Sequence, residues 1–476
     1  MTSPALVWLR NDLRLADNPA LSEAVASGRP IIVLYVLEES GGPRPPGAAA
    51  RWWLHHSLVA LGRDLAAFGV PLVLRRGAAR VQVPHVAADC GAAAVYWNLR
   101  YEPGGAAADA DIRAELQAAG RSVESGLANL LASPHEVATG AGRSFRVYTP
   151  FAKALRARGT PRHPLPIPPL SRAGGAVAPE SDGLEDWSLL PTKPNWAKDF
   201  AGEWNPGEPG ANLRLDTFVE GGLRDYRDGR DFPALAAVSR LSPALRFGEI
   251  SPYQSWHSVG LAAAADGRLD GSAEKFLSEI LWREFSWHLL ANELDISTAN
   301  IQRKFDSFPW RYDADDLVRW QQGRTGYPLV DAGMRELWHT GAMHNRVRMV
   351  AASFLVKHLM IDWREGERWF WDTLVDADEA SNPANWQWVA GTGADAAPYF
   401  RIFNPTLQRE KFDPDGRYVR RWVPEWSPEC VAGKGRRSAP LLAELEGGQY
   451  PAPVVDHDMA RRRALDALAG LRPGEG

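Results

Sequence analysis

The feature of this sequence that most constrains its fold is a set of four short apolar runs in the first 130 residues. The runs occupy positions 5–10, 30–37, 70–76 and 93–100. Apolar runs of this length are typical of strands that are buried on both faces of a parallel sheet. Stretches with helical patterning, such as 50–68, separate them, and this alternation predicts an open α/β sheet over residues 1–130. No G-x-G-x-x-G follows the first run, so a conventional dinucleotide site is not expected there.

The patterning changes after residue 130. Residues 131–212 are predicted to form an interdomain connector, because the stretch 160–183 is rich in Pro and Gly and has no periodicity. From residue 213 to 476 we predict an all-helical domain with a short final helix. Apolar residues spaced by three and four carry that prediction, in the segments 273–292, 328–340, 342–359 and 364–375.

The composition argues against a membrane protein, a secreted protein and an iron–sulfur protein. No apolar run approaches the ~20 residues of a membrane span, and the first strand-like run begins at residue 5, so we expect no signal peptide and a cytoplasmic protein. The two cysteines, Cys90 and Cys430, are too few for an iron–sulfur cluster. With a net charge of −4, any DNA-binding surface must be a local basic patch.

The densest group of polar and aromatic residues lies at 376–388. Asn382 before Pro383 is a good pair for the N-cap and first position of a helix, with Asp376 and Asp378 just ahead of it and Trp386 and Trp388 inside it. The pattern fits a capped helix with two core tryptophans. The alternative is a pocket wall that presents carboxylates and an amide to a polar heterocycle.

Three further regions combine charge with aromatic or apolar residues. Glu279 and Arg283 form an i,i+4 pair beside Trp282 on an otherwise apolar helix, which indicates either a surface ion pair or charges lining a cavity. The run 343–349 interleaves two arginines with methionines, as a phosphate-facing or a solvated helix end would. Hydroxyl and guanidinium groups that could bind phosphate occur between 226 and 242, at Tyr226, Ser239, Arg240 and Ser242.

These four regions, with 7–21, 325–337, 352–370 and 391–405, closely resemble the photolyase/cryptochrome family. The segments 51–58 and 189–200 are most similar to bacterial class III cyclobutane pyrimidine dimer photolyases. The resemblance implies an N-terminal α/β domain followed by a C-terminal all-helical domain that binds FAD. The residues implied to contact FAD are Tyr226, Ser239, Arg240, Leu241, Ser242, Trp282, Arg283, Asn345, Asp376, Asp378 and Asn382. Val238 departs from the family, which usually has threonine there, so one hydroxyl is lost.

The same resemblance implies a partner and a reaction. The partner is ultraviolet-damaged DNA, and a monomeric enzyme is expected. Light-excited reduced FAD would give an electron to the dimer, the ring would split, and the electron would return. The residues implied to face the lesion are Glu279, Trp282, Asn345, Arg346, Met349 and Trp388, and those implied to contact the strand are Arg230 and Gln408. Trp386, Trp363 and Trp310 match a tryptophan relay that reduces oxidised flavin.

The resemblance leaves open two alternative functions and the identity of an accessory cofactor. A cryptochrome photoreceptor shares the fold, but Asn382 and the intact lesion set favour repair. Repair of the (6-4) photoproduct is disfavoured because that group uses a His pair, where this chain has the single His344. The antenna chromophore is predicted to be methenyltetrahydrofolate, although Tyr101 and Glu102 are followed by Pro103 rather than by the Asn-Glu pair of many folate-binding members.

Overall fold

The computed structural model describes residues 3–40, 42–293, 295–395, 400–426 and 450–471. Cys430 and part of the 391–405 motif lie outside the described residues. Within the described ranges, no helix is long and apolar enough to cross a membrane.

The N-terminal region contains an open sheet of five parallel strands in the order β3-β2-β1-β4-β5, which confirms the predicted parallel sheet. The strands are β1 Ala5–Leu9, β2 Ile31–Leu37, β3 Leu72–Arg76, β4 Ala94–Asn98 and β5 Ser122–Gly126. The first four coincide with the apolar runs. β5 escaped prediction because it is an edge strand, in which Val123 is the one buried residue. Since β1 lies between β2 and β4, a crevice opens beyond the carboxyl ends of β1 and β4.

Helices make up most of the rest of the described chain, as predicted. They are α1 Pro19–Ala26, α2 Ala48–Ala66, α3 Ala79–Asp89, α4 Pro103–Ala118, α5 Tyr148–Arg156, α6 Phe200–Glu203, α7 Glu208–Thr217, α8 Leu223–Gly229, α9 Ser242–Phe247, α10 Pro252–Ala265, α11 Asp270–Asn292, α12 Ala314–Gln321, α13 Pro328–Thr340, α14 Asn345–Ser353, α15 Trp363–Thr373, α16 Ser381–Ala390, α17 Pro405–Phe412, α18 Arg417–Trp422 and α19 His457–Ala469. The predicted segment 342–359 is not one regular helix. It is α14 followed by a π-helical turn, Phe354–His358. The wider turn interrupts the α-helical hydrogen-bond pattern, so the two segments do not form one regular helix.

The predicted connector runs along the edge of the sheet. The backbone N–H of Asp182 donates to the carbonyl of Leu74 at 2.9 Å, and the backbone N–H of Leu74 donates to Ser181 Oγ at 2.9 Å. Trp187 and Phe200 are buried in the same hydrophobic cluster as β1 and β2. These contacts cover strand β3, which would otherwise be an exposed sheet edge.

A short loop after β2 packs on helix α15 of the helical region. The indole N–H of Trp371 donates to the carbonyl of Pro45 at 3.0 Å, and the backbone N–H of Ala48 donates to Asp372 Oδ1 at 2.9 Å. A Cβ at Gly47 would lie 2.0 Å from the carbonyl oxygen of Trp371. The approach is therefore so close that only glycine fits at this position.

Candidate active site

The helical region encloses a cavity of about 550 Å³ between α8, α9, α11, α14 and α16. This volume lies within the range of roughly 300–1,000 Å³ that is usual for pockets that bind small molecules. Most of the residues predicted for the site line it, namely Tyr226, Arg230, Ser239, Leu241, Ser242, Glu279, Trp282, Arg283, Asn345, Arg346, Met349, Asp376, Asp378, Asn382, Trp386 and Trp388. The sequence therefore predicted residues from five separate helices, and from the loops joining them, that the fold brings to one cavity.

Asp376 holds the polar end of this cavity together. The guanidinium of Arg348 donates to both of its oxygens, at 3.1 Å to Oδ1 and 2.8 Å to Oδ2, and the hydroxyl of Ser242 donates to Oδ2 at 2.6 Å. Arg348 is itself fixed by the carbonyl of Met343, which accepts from its Nε at 2.7 Å. Arg348 was not among the predicted site residues, although its place in the run 343–349 had marked it as a charge on a helix end.

Replacing Arg348 with alanine is expected to lower thermal stability and to release bound flavin. The carboxylate of Asp376, whose side chain is 6% exposed, would lose both guanidinium donors, at a cost on the order of 1–3 kcal/mol. Thermal melting and the flavin content of the purified protein measure the two effects. Arg348→Lys keeps the charge but cannot bind both oxygens, so its Tm and flavin content should lie between those of the unsubstituted protein and those of Arg348→Ala. An unchanged Tm in Arg348→Ala would show that the pair is dispensable.

Asn382 does not cap α16, and the predicted N-cap assignment is wrong. The helix begins two residues earlier than predicted, at Ser381 rather than Pro383. Asp378 Oδ1 takes the capping role, because it accepts from the backbone N–H groups of Ala380, at 2.9 Å, and Ser381. The amide of Asn382 instead binds helix α15: its Nδ2 donates to Glu367 Oε1 at 2.8 Å and to the Glu367 carbonyl at 3.1 Å. This leaves Oδ1 as the amide atom available to a ligand in the cavity.

Glu279 does not pair with Arg283, in contrast to the i,i+4 prediction. It accepts from Arg230, at the end of α8, and from Lys275 at 3.0 Å. Arg283 turns to the carbonyl of Asn129 at 2.7 Å. Burial by itself would raise the pKa of Glu279, but the hydrogen bond and charge of Arg230, with the charge of Lys275, outweigh it and hold that pKa below its ordinary value. Glu279 is therefore an ionised hydrogen-bond acceptor at the cavity wall.

The aromatic wall of the cavity is supported from behind by a residue that the sequence did not indicate. Trp282 stacks on Tyr148 with ring centroids 3.7 Å apart and planes 4° apart. Tyr148 lies 134 positions upstream, at the start of α5, so nothing in the pattern around Trp282 could have shown it. With one face covered by Tyr148, Trp282 is held rigidly, and Trp388 and Met349 line the same cavity.

The three tryptophans of the predicted relay belong to one hydrophobic cluster. Trp386 lines the cavity and is 2% exposed, Trp363 is fully buried, and Trp310 packs half-buried against the same cluster. The ring of Trp386 lies against Gly366, one turn after Trp363 in α15, where an added Cβ would be 2.1 Å from the indole. Trp363 and Trp310 do not line the cavity, and their role stays a prediction.

Two other predicted residues also lie off the cavity wall. Arg240 has a left-handed backbone, with φ of 52°, and its guanidinium pairs with Glu203 at 3.1 Å and lies over Trp204. Gln408 lies on α17, one turn before Phe412, whose ring is 4.5 Å from the guanidinium carbon of Arg346. The predicted contact of Gln408 with the DNA strand stays a prediction, and the Arg240 side chain binds Glu203 rather than facing the cavity.

The crevice beyond β1 and β4 is much smaller than the cavity. Its larger part measures about 70 Å³, and a group of ion pairs crosses it, with Arg100 bound to Glu38 at 2.5 Å and to Asp109 at 2.9 Å. Asp378 lines both the crevice and the cavity. The two spaces therefore share a wall.

Comparison with known proteins gives matches over nearly the whole chain. Residues 5–169 match the model of the DNA photolyase family, and residues 276–470 match the FAD binding domain of DNA photolyase. A deoxyribodipyrimidine photo-lyase of Agrobacterium fabrum is 50% identical, over 99% of this chain and 98% of the relative. Cryptochrome-1 of Arabidopsis thaliana is 38% identical, over 98% of this chain and 70% of the relative. A bacterial class III photolyase from Agrobacterium tumefaciens superposes with a TM-score of 0.92 at 49% identity, covering 99% of this chain and 98% of that one.

Proposed function

Because the chain belongs to the photolyase/cryptochrome family, we propose that it is an FAD-dependent enzyme that uses light to split cyclobutane pyrimidine dimers in DNA. The observation that carries this proposal is the sharing of one cavity by two predicted sets of residues. Ser242, Asp376 and Asn382 of the predicted cofactor set line the same space as Glu279 and Trp388 of the predicted lesion set. A flavin and a dimer of two adjacent pyrimidines flipped out of the duplex could therefore lie in contact.

The donors and acceptors of the cavity fit a flavin dinucleotide. At one end Ser242 and Arg348 offer hydroxyl and guanidinium groups around Asp376, which suits the ribose and phosphate portion. At the other end the amide oxygen of Asn382 lies beside apolar and aromatic walls, as a flat ring with polar edges requires. Bound there, FAD would supply the electron-transfer chemistry of the reaction, which needs no net oxidation or reduction.

The residues of this chain bind and orient the damaged bases. Trp388 and Met349 offer apolar surface to the dimer, and Trp282, stacked on Tyr148, forms a rigid wall. Glu279, held ionised by Arg230 and Lys275, can accept a hydrogen bond from a pyrimidine N–H. Because Arg230 and Lys275 fix its position, Glu279 holds the dimer in one orientation.

The rival functions on this fold are less well supported. A photoreceptor role without repair would not need the lesion set, which this chain retains in full around the cavity. Repair of the (6-4) photoproduct is disfavoured because His344 is used as a helix cap: its Nδ1 accepts from the backbone N–H of Arg346 at 3.2 Å. Burial lowers the pKa of His344 to about 4, so this ring is neutral at pH 7 and does not serve as an acid.

Repair by the reduced protein under blue light tests the function, and Glu279→Ala tests the site. We expect the protein to restore an oligonucleotide with one cyclobutane dimer in light and not in the dark. Glu279→Ala should keep FAD but split fewer dimers per absorbed photon, because the acceptor that orients the pyrimidine N–H is lost. Glu274→Ala, on the exposed side of the same helix, is the matched control. Equal yields in all three proteins would reduce Glu279 to a structural ion pair, and no repair in light would favour the photoreceptor.

We also propose methenyltetrahydrofolate as the antenna, from the resemblance to class III photolyases. The crevice beyond β1 and β4, with its larger part of about 70 Å³, does not fit an intact pterin, since ligand pockets usually exceed roughly 300 Å³. We therefore propose that the folate binds beside the N-terminal domain rather than in this crevice. The absorption spectrum of the purified protein, followed by chromatography of the released cofactors, decides between folate plus flavin and flavin alone.

The remaining parts of the proposal concern organisation. We propose a division into an α/β domain over 1–130, a connector over 131–212 and a helical domain over 213–476, acting as a monomer in the cytoplasm. The molar mass in solution, measured by light scattering, and limited proteolysis test the monomer and the boundaries.

A further inference from the structure

The amide of Asn382 has a defined orientation because of Glu367. Both acceptors of Nδ2, the carbonyl and the carboxylate of Glu367, belong to this one residue of α15. An amide turned the other way would place Oδ1 against two acceptors, so Nδ2 must face Glu367. Glu367 thus decides that an acceptor, and not a donor, faces the cavity.

Glu367 is in turn held by a residue of the N-terminal α/β region. Arg44, in the loop after β2, donates from Nη1 to Glu367 Oε1 at 2.7 Å, and this is the same oxygen that accepts from Asn382. The side chain of Glu367 is 2% exposed, whereas that of Arg44 is 31% exposed. The guanidinium therefore provides a counter-charge to a carboxylate that is almost completely removed from water.

Arg44 is fixed in place on several sides. Its guanidinium carbon lies 4.1 Å from the centre of the Trp371 ring, and its backbone N–H donates to Glu379 Oε1 at 2.7 Å. The next residues of the loop bind the same helix through the Pro45 carbonyl and the close contact at Gly47. The ion pair to Glu367 is thus part of a rigid contact, and holding it costs little side-chain entropy.

We propose that Arg44 is a positioning residue for the flavin, acting through Glu367 and Asn382. It holds the carboxylate of Glu367 in place, so that the amide oxygen of Asn382 stays directed to the cavity. Reduced flavin carries an N–H at a ring nitrogen that is a bare acceptor in the oxidised form, and an amide oxygen favours the form with the N–H. Arg44 thereby raises the affinity for reduced over oxidised FAD. This inference rests on the proposed function, since it requires FAD in the cavity beside Asn382.

The midpoint potential of FAD bound to the full chain tests the proposal. Arg44→Met removes the charge and keeps an apolar side chain over Trp371. We expect about a tenfold loss in the preference for reduced FAD, which for a two-electron couple is a fall of about 30 mV. Arg44→Lys, which keeps a charge but offers a different donor geometry, should restore part of the shift. Arg51→Met is the matched control, because Arg51 is 33% exposed and contacts the same loop at Pro46 but not Glu367.

Asn382→Ala and the double variant separate the possible outcomes. If Arg44 acts through Asn382, Arg44→Met should have no further effect on the potential in the Asn382→Ala background. An equal shift in both backgrounds, or an equal fall in Arg51→Met, overturns the inference. A potential unchanged in Asn382→Ala would remove Asn382 from contact with the flavin and overturn the inference, whereas the proposed function fails only if the protein does not repair dimers in light. Should Arg44→Met not retain FAD, Arg44→Gln is measured in the same way and must show the fall.

Discussion

Replacing Trp386 with phenylalanine is expected to abolish the light-driven reduction of oxidised FAD. Trp386 lines the cavity and is 2% exposed, and its ring packs at 5.0 Å from the ring of Phe370 and against Gly366. Phenylalanine fills most of this space but does not readily give up an electron. Absorption spectra recorded under blue light with an external reductant measure the rate. The same variant, chemically reduced beforehand, should still split dimers, because that electron comes from the flavin.

Trp320→Phe is the control for this experiment. The ring of Trp320 is fully buried and lies 6.2 Å from that of Trp386, but it does not line the cavity. Photoreduction should persist in this variant. Normal photoreduction in Trp386→Phe would show that another of the 20 tryptophans is the proximal donor. Loss of repair after chemical reduction would show that Trp386 is structural and that the relay was assigned wrongly.

The parts of the fold that follow from local pattern could be predicted from the sequence. Strands β1, β2 and β4 are buried along almost their whole length, the edge strand β3 begins with three apolar residues, and α13 carries its period of three and four over the predicted bounds 328–340. β5 could not be predicted in this way, because it buries the single side chain of Val123 and its polar neighbours resemble a loop. The π-helical turn after α14 could not be predicted either. Its residues are all buried, so the spacing of apolar residues does not distinguish it from an α-helix.

The partners of the site residues could not be predicted, because they come from distant parts of the chain. The helix rule paired Glu279 with Arg283, but Arg230 reaches Glu279 from α8. The local rule made Asn382 a cap, while its amide binds Glu367 on another helix. Arg44 contacts Glu367 from 323 positions away. The motifs thus predicted which residues lie at the site. Their hydrogen-bond partners could not be predicted, because tertiary packing decides them.

Binding should be much tighter to duplex DNA with a cyclobutane dimer than to intact duplex, and both affinities should fall as salt rises. Trp388→Ala should reduce the preference for damaged DNA by about tenfold or more, since stacking of a base on an aromatic side chain is worth about 1–3 kcal/mol. Its salt dependence should not change, because the lost contact is apolar. Titrations of both duplexes at several salt concentrations measure preference and slope together.

Arg230 separates the contribution of charge from that of the aromatic wall. It is predicted to contact the DNA strand, and Arg230→Gln should weaken binding to both duplexes and reduce the salt slope by about 1. Leu407→Ala is the control, because Leu407 is 58% exposed on α17 next to Gln408 and carries no charge. A protein that binds both duplexes equally would contradict the repair function. A preference that survives Trp388→Ala but is lost in Arg230→Gln would place recognition of the lesion at Arg230 and Glu279, because Glu279 would lose the guanidinium that holds it.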